Sequence, residues 1–237
     1  MAKIYQRYHA NHFLCFFTKI LYILFFLLGC FCFLLLAMKE KQNLFWLIGL
    51  CSFYASFLCY RKSKILKSGL LGERITRRVL AKLPKSYVVF CNLKMIVNGR
   101  VAEFDHTVIG PTGIFIIEVK HHAGHIKGDV QKQDWLQVRK LPKGKMLRKT
   151  FANPIWQNQR QVDILKTRLR QEGLFYPVQG YVYFSNEFVQ TDIEGARVFT
   201  NAHWLCEAIL KYPQHLNHTE IKKLAAFMRS EYDMKSL

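Results

Sequence analysis

The chain has 237 residues and a formal net charge of +19, from 35 Lys/Arg against 16 Asp/Glu. Its seven cysteines are odd in number and follow no spacing pattern, which excludes a disulfide framework and fits a reducing compartment. Residues 61–237 carry 30 Lys/Arg against 15 Asp/Glu, a balance that favours a polyanionic partner: nucleic acid or an anionic membrane surface.

Two charge-free apolar runs come first, Ile20–Met38 and Leu44–Tyr60, joined by the polar link Lys39-Glu40-Lys41-Gln42-Asn43. Crossing a bilayer core of roughly 30 Å takes about 20 helical residues, so the first run is long enough and the second only just. We read residues 1–60 as a transmembrane helical hairpin with spans at 20–38 and 44–60. A signal peptide fits less well, because no small-x-small cleavage site follows and a second apolar run comes next. Lys3, Arg7 and Lys19 precede the first span, and Arg61, Lys62, Lys64 and Lys67 follow the second. The positive-inside rule then puts both ends in the cytoplasm of an inner-membrane, multi-pass protein. Residues 61–68 form a basic juxtamembrane linker.

A helix is expected over Leu70–Leu83, with Leu71, Ile75, Val79, Leu80 and Leu83 inward, Glu73 in its first turn and Pro84 at its end. Tyr87–Val97 reads as a strand, and Asn98-Gly99 as a hairpin turn. Glu103–Lys120 reads as a second hairpin around Gly110-Pro111-Thr112-Gly113. If that turn closes directly, Ile109 faces Ile114, Asp105 faces Glu118, and Glu103 faces Lys120. Opposed carboxylates on adjacent strands are destabilising unless they share a cation. The plainer alternative is a salt-bridged face in which Glu103 pairs with Lys120 and Asp105 points to water.

His121, His122 and His125 have no partners at zinc-like spacing and are read as a loop near phosphate or solvent. Asp134–Val138 is a candidate strand. Arg139–Lys149 is dense in cations and reads as a mobile basic loop, with Arg139, Lys140, Lys143, Lys145, Arg148 and Lys149 available for phosphate contact. Asn153-Pro154 starts a helix that runs to Gln171, with Ile155, Val162, Leu165 and Leu169 as its core stripe and Gln157 about 100° away. Gly180–Phe184 and Val198–Thr200 read as strands. Asn201 caps a helix to about Leu210, and Thr219 opens a last amphipathic helix with Ile221, Leu224, Ala225 and Met228 inward.

Several of these pieces together resemble the nuclease-related domain (NERD) family, over roughly Gly69–Ser185. They are Gly72-Glu73, Glu103-Phe104-Asp105-His106, Gly113–Lys120, Gly124, Gly128-Asp129 and Asn153-Pro154-x-x-Gln157. That family looks like a branch of the restriction-endonuclease-like PD-(D/E)XK superfamily. The resemblance implies an α/β fold: a mixed central sheet flanked by helices, here preceded by the membrane hairpin. We read a nuclease-like domain at 69–200, followed by a helical extension at 201–237. It also implies a metal-dependent nuclease acting on nucleic acid, with DNA favoured. Mg²⁺ or Mn²⁺ would be held by Asp105, Glu118 and the Val119 carbonyl, and Glu73, Lys120 and Gln157 would complete the catalytic set. A homo-oligomer is compatible with this reading. The competing expectation is a membrane-tethered nucleic-acid-binding or adaptor module without turnover, or a basic face that docks on anionic lipid.

Overall fold

The computed structural model describes residues 1–6, 10–38, 43–193 and 197–233. The chain divides into two compact units, Tyr8–Leu71 on one hand and Met1–Arg7 with Gly72–Leu237 on the other.

The first unit holds α1 (Ala10–Met38) and most of α2 (Asn43–Leu80). Within α1, Asn11–Leu35 has a mean hydropathy of 2.3 and is, by length and composition, the one helix among the described residues apolar enough to cross a membrane. Aromatic contacts join α1 to the first half of α2. Phe33 meets Trp46 at 5.0 Å and Phe53 at 5.6 Å, Phe26 meets Phe53 at 5.7 Å, and Tyr22 meets Tyr60 at 5.5 Å. Ser56 Oγ donates to the Tyr22 carbonyl at 3.1 Å. Of the expected link Lys39–Asn43, residues 39–42 lie outside the described residues and Asn43 opens α2. Residues 61–68, expected as a basic linker, are helical: α2 runs through them unbroken, because Arg, Lys and Leu are good helix formers and no proline intervenes.

The second unit is built on a six-stranded mixed sheet in the order β1-β2-β3-β4-β8-β10. Three strands form the expected meander: β2 (Val88–Val97), β3 (Arg100–Gly110) and β4 (Gly113–Lys120). Ile109 faces Ile114, as the turn residues required. On the far side β4 pairs in parallel with β8 (Val178–Phe184), reached through α3 (Pro154–Gln171), and β8 pairs in parallel with β10 (Val198–Phe199). The outer strand β1 (Lys3–Gln6) was not expected; it pairs in parallel with β2, and Tyr5 stacks on Phe90 at 5.0 Å. Four residues are too few for their alternation to stand out beside a membrane segment.

Helices cover both faces. Val162, Leu165 and Leu169 of α3 and Ile221, Leu224 and Met228 of α5 (His218–Asp233) pack with Ile109, Ile114 and Ile116. The other face holds Val108, Phe115 and Ile117 under Leu80, Leu83 and, from α4 (Ala202–Leu210), Leu205 and Ile209. The C-terminal part of α2 buries Gly72, Thr76 and Leu80, whereas Leu71, expected inward, is exposed.

Three strands between β4 and α3, with a fourth that follows β8, build a second sheet in the order β7-β6-β5-β9. Its strands are β5 (Gly124–Lys127), β6 (Asp134–Lys140), β7 (Met146–Ala152) and β9 (Val189–Thr191). The stretch expected to be a mobile basic loop is therefore an antiparallel hairpin, with Arg139 facing Leu147 and Val138 facing Arg148 around a 3₁₀ turn at Pro142–Gly144. The hairpin is rooted where Trp135 stacks on Phe184, at 6.4 Å, and meets Phe151 edge-on.

Candidate active site

Asp105 sits at an irregular point of β3. Its neighbour on β2, Asn92, takes a φ of +60°, and the inside-outside alternation resets there. Phe90 and Leu93, three residues apart, face the same core layer, and Phe104 joins them across the ladder. The ladder between β3 and β4 ends at His106 opposite Ile117. One residue past that end the strands separate, and Asp105 Oδ2 accepts the Val119 N–H at 2.8 Å. The aspartate thus takes the place of a missing strand partner.

Glu118 is 2% exposed. A carboxylate this buried needs donors on both oxygens. Oε1 accepts from Lys120 Nζ at 2.6 Å, and Oε2 accepts from Gln161 Nε2 at 2.7 Å. Lys120 Nζ also donates to Gln157 Oε1 at 2.9 Å. Asp105, Glu118, Lys120 and Gln157 are therefore brought together, by the ends of two strands and the first turn of α3. Asn153 fixes that turn. Its side chain accepts the Ile155 N–H at 2.9 Å and donates to the carbonyls of Val130 and Lys132 at 3.0 and 2.8 Å.

Close packing sets α3 and α2 against the sheet. A Cβ on Gly180 of β8 would lie 2.0 Å from Asn158 Oδ1, and a Cβ on Gly72 of α2 would lie 2.8 Å from both His121 Cβ and Ser185 Oγ. Only glycine permits either approach. The second carries Glu73 to the edge of the acidic group. Burial, and then the charge of Glu118, push the Glu73 carboxyl up to about 7. Burial also drives Asp105 well above the carboxylate range, with Glu118 and Glu73 adding to the effect and the Val119 N–H and Lys120 opposing it. Two acids held up in this way beside the Glu118 carboxylate mark a cluster short of positive charge, and this donor set fits a hard divalent cation. Among the described residues no three His, Cys, Asp or Glu side chains converge tightly enough to hold an ion by themselves. Two carboxylates, with water and phosphate oxygens supplying the rest, is the coordination Mg²⁺ favours.

Glu103 does not reach Lys120. It is exposed and pairs instead with Lys94 on β2, at 3.1 Å, because β3 and β4 have already parted at that level. Gln161 went unread in the sequence, as did the buried Asn158, whose Nδ2 donates to the Ile116 carbonyl at 3.1 Å. The available signal was polar side chains on the helical stripe that also carries Val162 and Leu165. The histidines do separate work. His121 Nδ1 pairs with Ser185 Oγ at 3.0 Å, and His125 Nε2 with Asp192 Oδ1 at 2.6 Å. His122 lies 4.6 Å from the Phe151 ring.

Arg139, Lys140, Lys145, Arg148 and Lys149 are all exposed on the β6–β7 hairpin; the side chain of Lys143 lies outside those described. Burial, and then the charges of Lys120 and Lys149, push His122 down to about 4, so the lysine of the site and a lysine of the basic hairpin act on the same imidazole.

Residues 68–185 match the family model of the nuclease-related domain. Every residue of the acidic group and of the basic hairpin falls inside that stretch. Over 108 residues, 44% of its length, the chain is 33% identical to an uncharacterised protein of Bacillus anthracis, and it spans about half (48%) of that relative. No solved structure matches.

Proposed function

Because residues 68–185 are a nuclease-related domain, we propose that the chain is a membrane-anchored, metal-dependent nuclease that hydrolyses phosphodiester bonds of nucleic acid, DNA foremost. The observation that carries this reading is the meeting of Asp105, Glu118, Lys120 and Gln157 at one end of the central sheet. Asp105, Glu118 and the Val119 carbonyl would hold Mg²⁺ or Mn²⁺. Bound there, the ion supplies neutralisation of phosphate charge and a water of lowered pKa. Lys120, fixed between Glu118 and Gln157, orients the attacking water and stabilises charge developing on the phosphate oxygens. Gln157 holds that lysine in place and reaches toward the same water. Glu73, with a carboxyl near neutrality, takes the water's proton or helps seat a second ion. Arg139, Lys140, Lys143, Lys145, Arg148 and Lys149 grip the phosphate backbone without reading sequence.

For the anchor, α1 makes one crossing and residues 44–60 of α2 make the return. Strand β1 supports two crossings over one. It precedes α1, yet it pairs with β2, which follows α2. The two ends of the membrane segment then lie on one side, and the basic flanks make that side the cytoplasm.

The test is cleavage of a nucleic-acid panel by the full chain in detergent micelles, with Mg²⁺, Mn²⁺ or EDTA. Wild type cleaves only with metal. Asp105→Ala and Lys120→Ala lose at least about 100-fold, with unchanged circular dichroism. Equal cleavage by all three proteins contradicts the proposal.

A further inference from the structure

A groove of about 520 Å³ runs along the outer face of α3, opposite the turn between β2 and β3. From Trp156 to Thr167 it follows the helix for about 16 Å, at 1.5 Å per residue. Trp156 directly precedes Gln157 in the first turn of α3, so the groove starts about 100° round the helix from that residue of the active group. Trp156 is 49% exposed, and its Nε1 donates to the Val130 carbonyl at 3.1 Å, so the indole is held in place with much of its surface open. Farther along, Arg160 from the helix and Arg100 from the strand turn are exposed, and neither forms an ion pair among the described residues. The remaining lining mixes apolar Val97 and Ile164 with Asp163, whose carboxylate accepts from Gln159 Nε2 at 3.0 Å.

A fixed aromatic plane followed by unpaired guanidinium groups is the combination that holds single-stranded nucleic acid. Bases stack on the ring, and cations follow the backbone. A duplex has no base face to offer Trp156, because its bases are already stacked on one another. The single carboxylate argues for the same orientation of the strand: Asp163 would repel phosphate but can accept from an exocyclic base amine.

We propose that this groove takes an unpaired strand leaving the active site, with a base on Trp156 and phosphates on Arg160 and Arg100. The substrate is then single-stranded nucleic acid, or the single-stranded arm of a branched one. This rests on the nuclease reading for its substrate class, but its test does not rest on turnover.

Binding of a labelled oligonucleotide to the full chain in micelles is followed by anisotropy in EDTA, as a single strand and as the matching duplex. Trp156→Ala is expected to weaken single-strand binding by about 10-fold or more and to leave duplex binding within about 2-fold. Trp156→Phe keeps a stacking plane and stays within about 3-fold of wild type for both forms. Arg100→Ala with Arg160→Ala lowers the salt dependence of single-strand binding by about 1.4 in slope. Three results overturn the inference: single-strand binding unchanged in Trp156→Ala, equal losses for strand and duplex, or a loss in Trp156→Phe as large as in Trp156→Ala. The last would mean that the hydrogen bond to Val130, and not the ring, matters. Cleavage is scored separately with Mg²⁺. An inactive protein whose strand binding still depends on Trp156 sinks the nuclease reading alone, and an active one indifferent to Trp156 sinks only the groove.

Discussion

The acidic end of the central sheet and the basic β6–β7 hairpin are built on opposite principles. In the first, charges are buried and each is held by named partners: Glu118 by Lys120 and Gln161, Asp105 by the Val119 N–H. In the second, every described cation is exposed, and β7 shows solvent on both faces except at Phe151. The difference shows which substitutions should matter where. A buried polar group left without its partner carries a desolvation cost that water cannot relieve. An exposed cation contributes through long-range attraction that salt screens.

The largest effect on stability should come from Gln161. Its side-chain amide donates to both Glu118 Oε2 and the Glu103 carbonyl. Gln161→Leu leaves Glu118 Oε2 buried and without its donor, at about 1–3 kcal/mol in denaturant unfolding. Cleavage should fall by about 10-fold or more as Glu118 loses its position. If stability and cleavage are both unchanged, the acidic group is not held as described.

Glu73 gives an effect of middle size with a defined sign. Folding lifts its carboxyl from an ordinary 4.5 to about 7. Across that window the folded state binds more protons than the unfolded chain, so Glu73 makes stability fall as pH rises. His106 and His122, pushed down to about 3 and about 4, act in the opposite sense at acid pH: the unfolded chain binds their protons first. The comparison that isolates Glu73 is therefore Tm of Glu73→Gln minus wild type, in EDTA. It should be near zero at pH ~4 and grow to a positive plateau above pH ~7, and saturating Mg²⁺ should shrink it. A difference that does not change with pH would contradict the shifted carboxyl.

The smallest effects belong to the hairpin. Lys149→Ala or Arg148→Ala should leave Tm unchanged, shifting stability by no more than about 0.5 kcal/mol. Each should weaken duplex binding a few-fold and reduce the salt slope by about 1. A Tm drop as large as that of Gln161→Leu would show that the hairpin is packed where we describe it as exposed.

This contrast also explains what the sequence disclosed. The pairing of Ile109 with Ile114 was legible, because a four-residue turn and strict alternation leave one register. The start of α3 was legible too, since Asn153 as cap and Pro154 at the first position form a local signal. Gln161 and Asn158 were not. A polar residue on a core stripe declares itself only when the carboxylate or carbonyl it meets is known, and those partners lie on another element. The pairing of Glu103 with Lys120 failed for a related reason: local alternation cannot foresee that β3 and β4 part at Asp105, leaving Lys94 as the nearer cation. The hairpin was hidden by its own composition. Dense charge with Pro142 and Gly144 reads as a loop, and what makes it a strand pair is the root formed by Trp135, Phe151 and Phe184.

The central claim is that two acids on neighbouring strands hold a divalent ion beside a lysine. Calorimetric titration of Mn²⁺ into the full chain tests it without any substrate. Wild type should bind, Asp105→Asn and Glu118→Gln should each lose the heat, and Lys120→Ala should bind at least as tightly as wild type, since it removes the cation already resting on Glu118. Unchanged binding in the two acid variants would contradict the account.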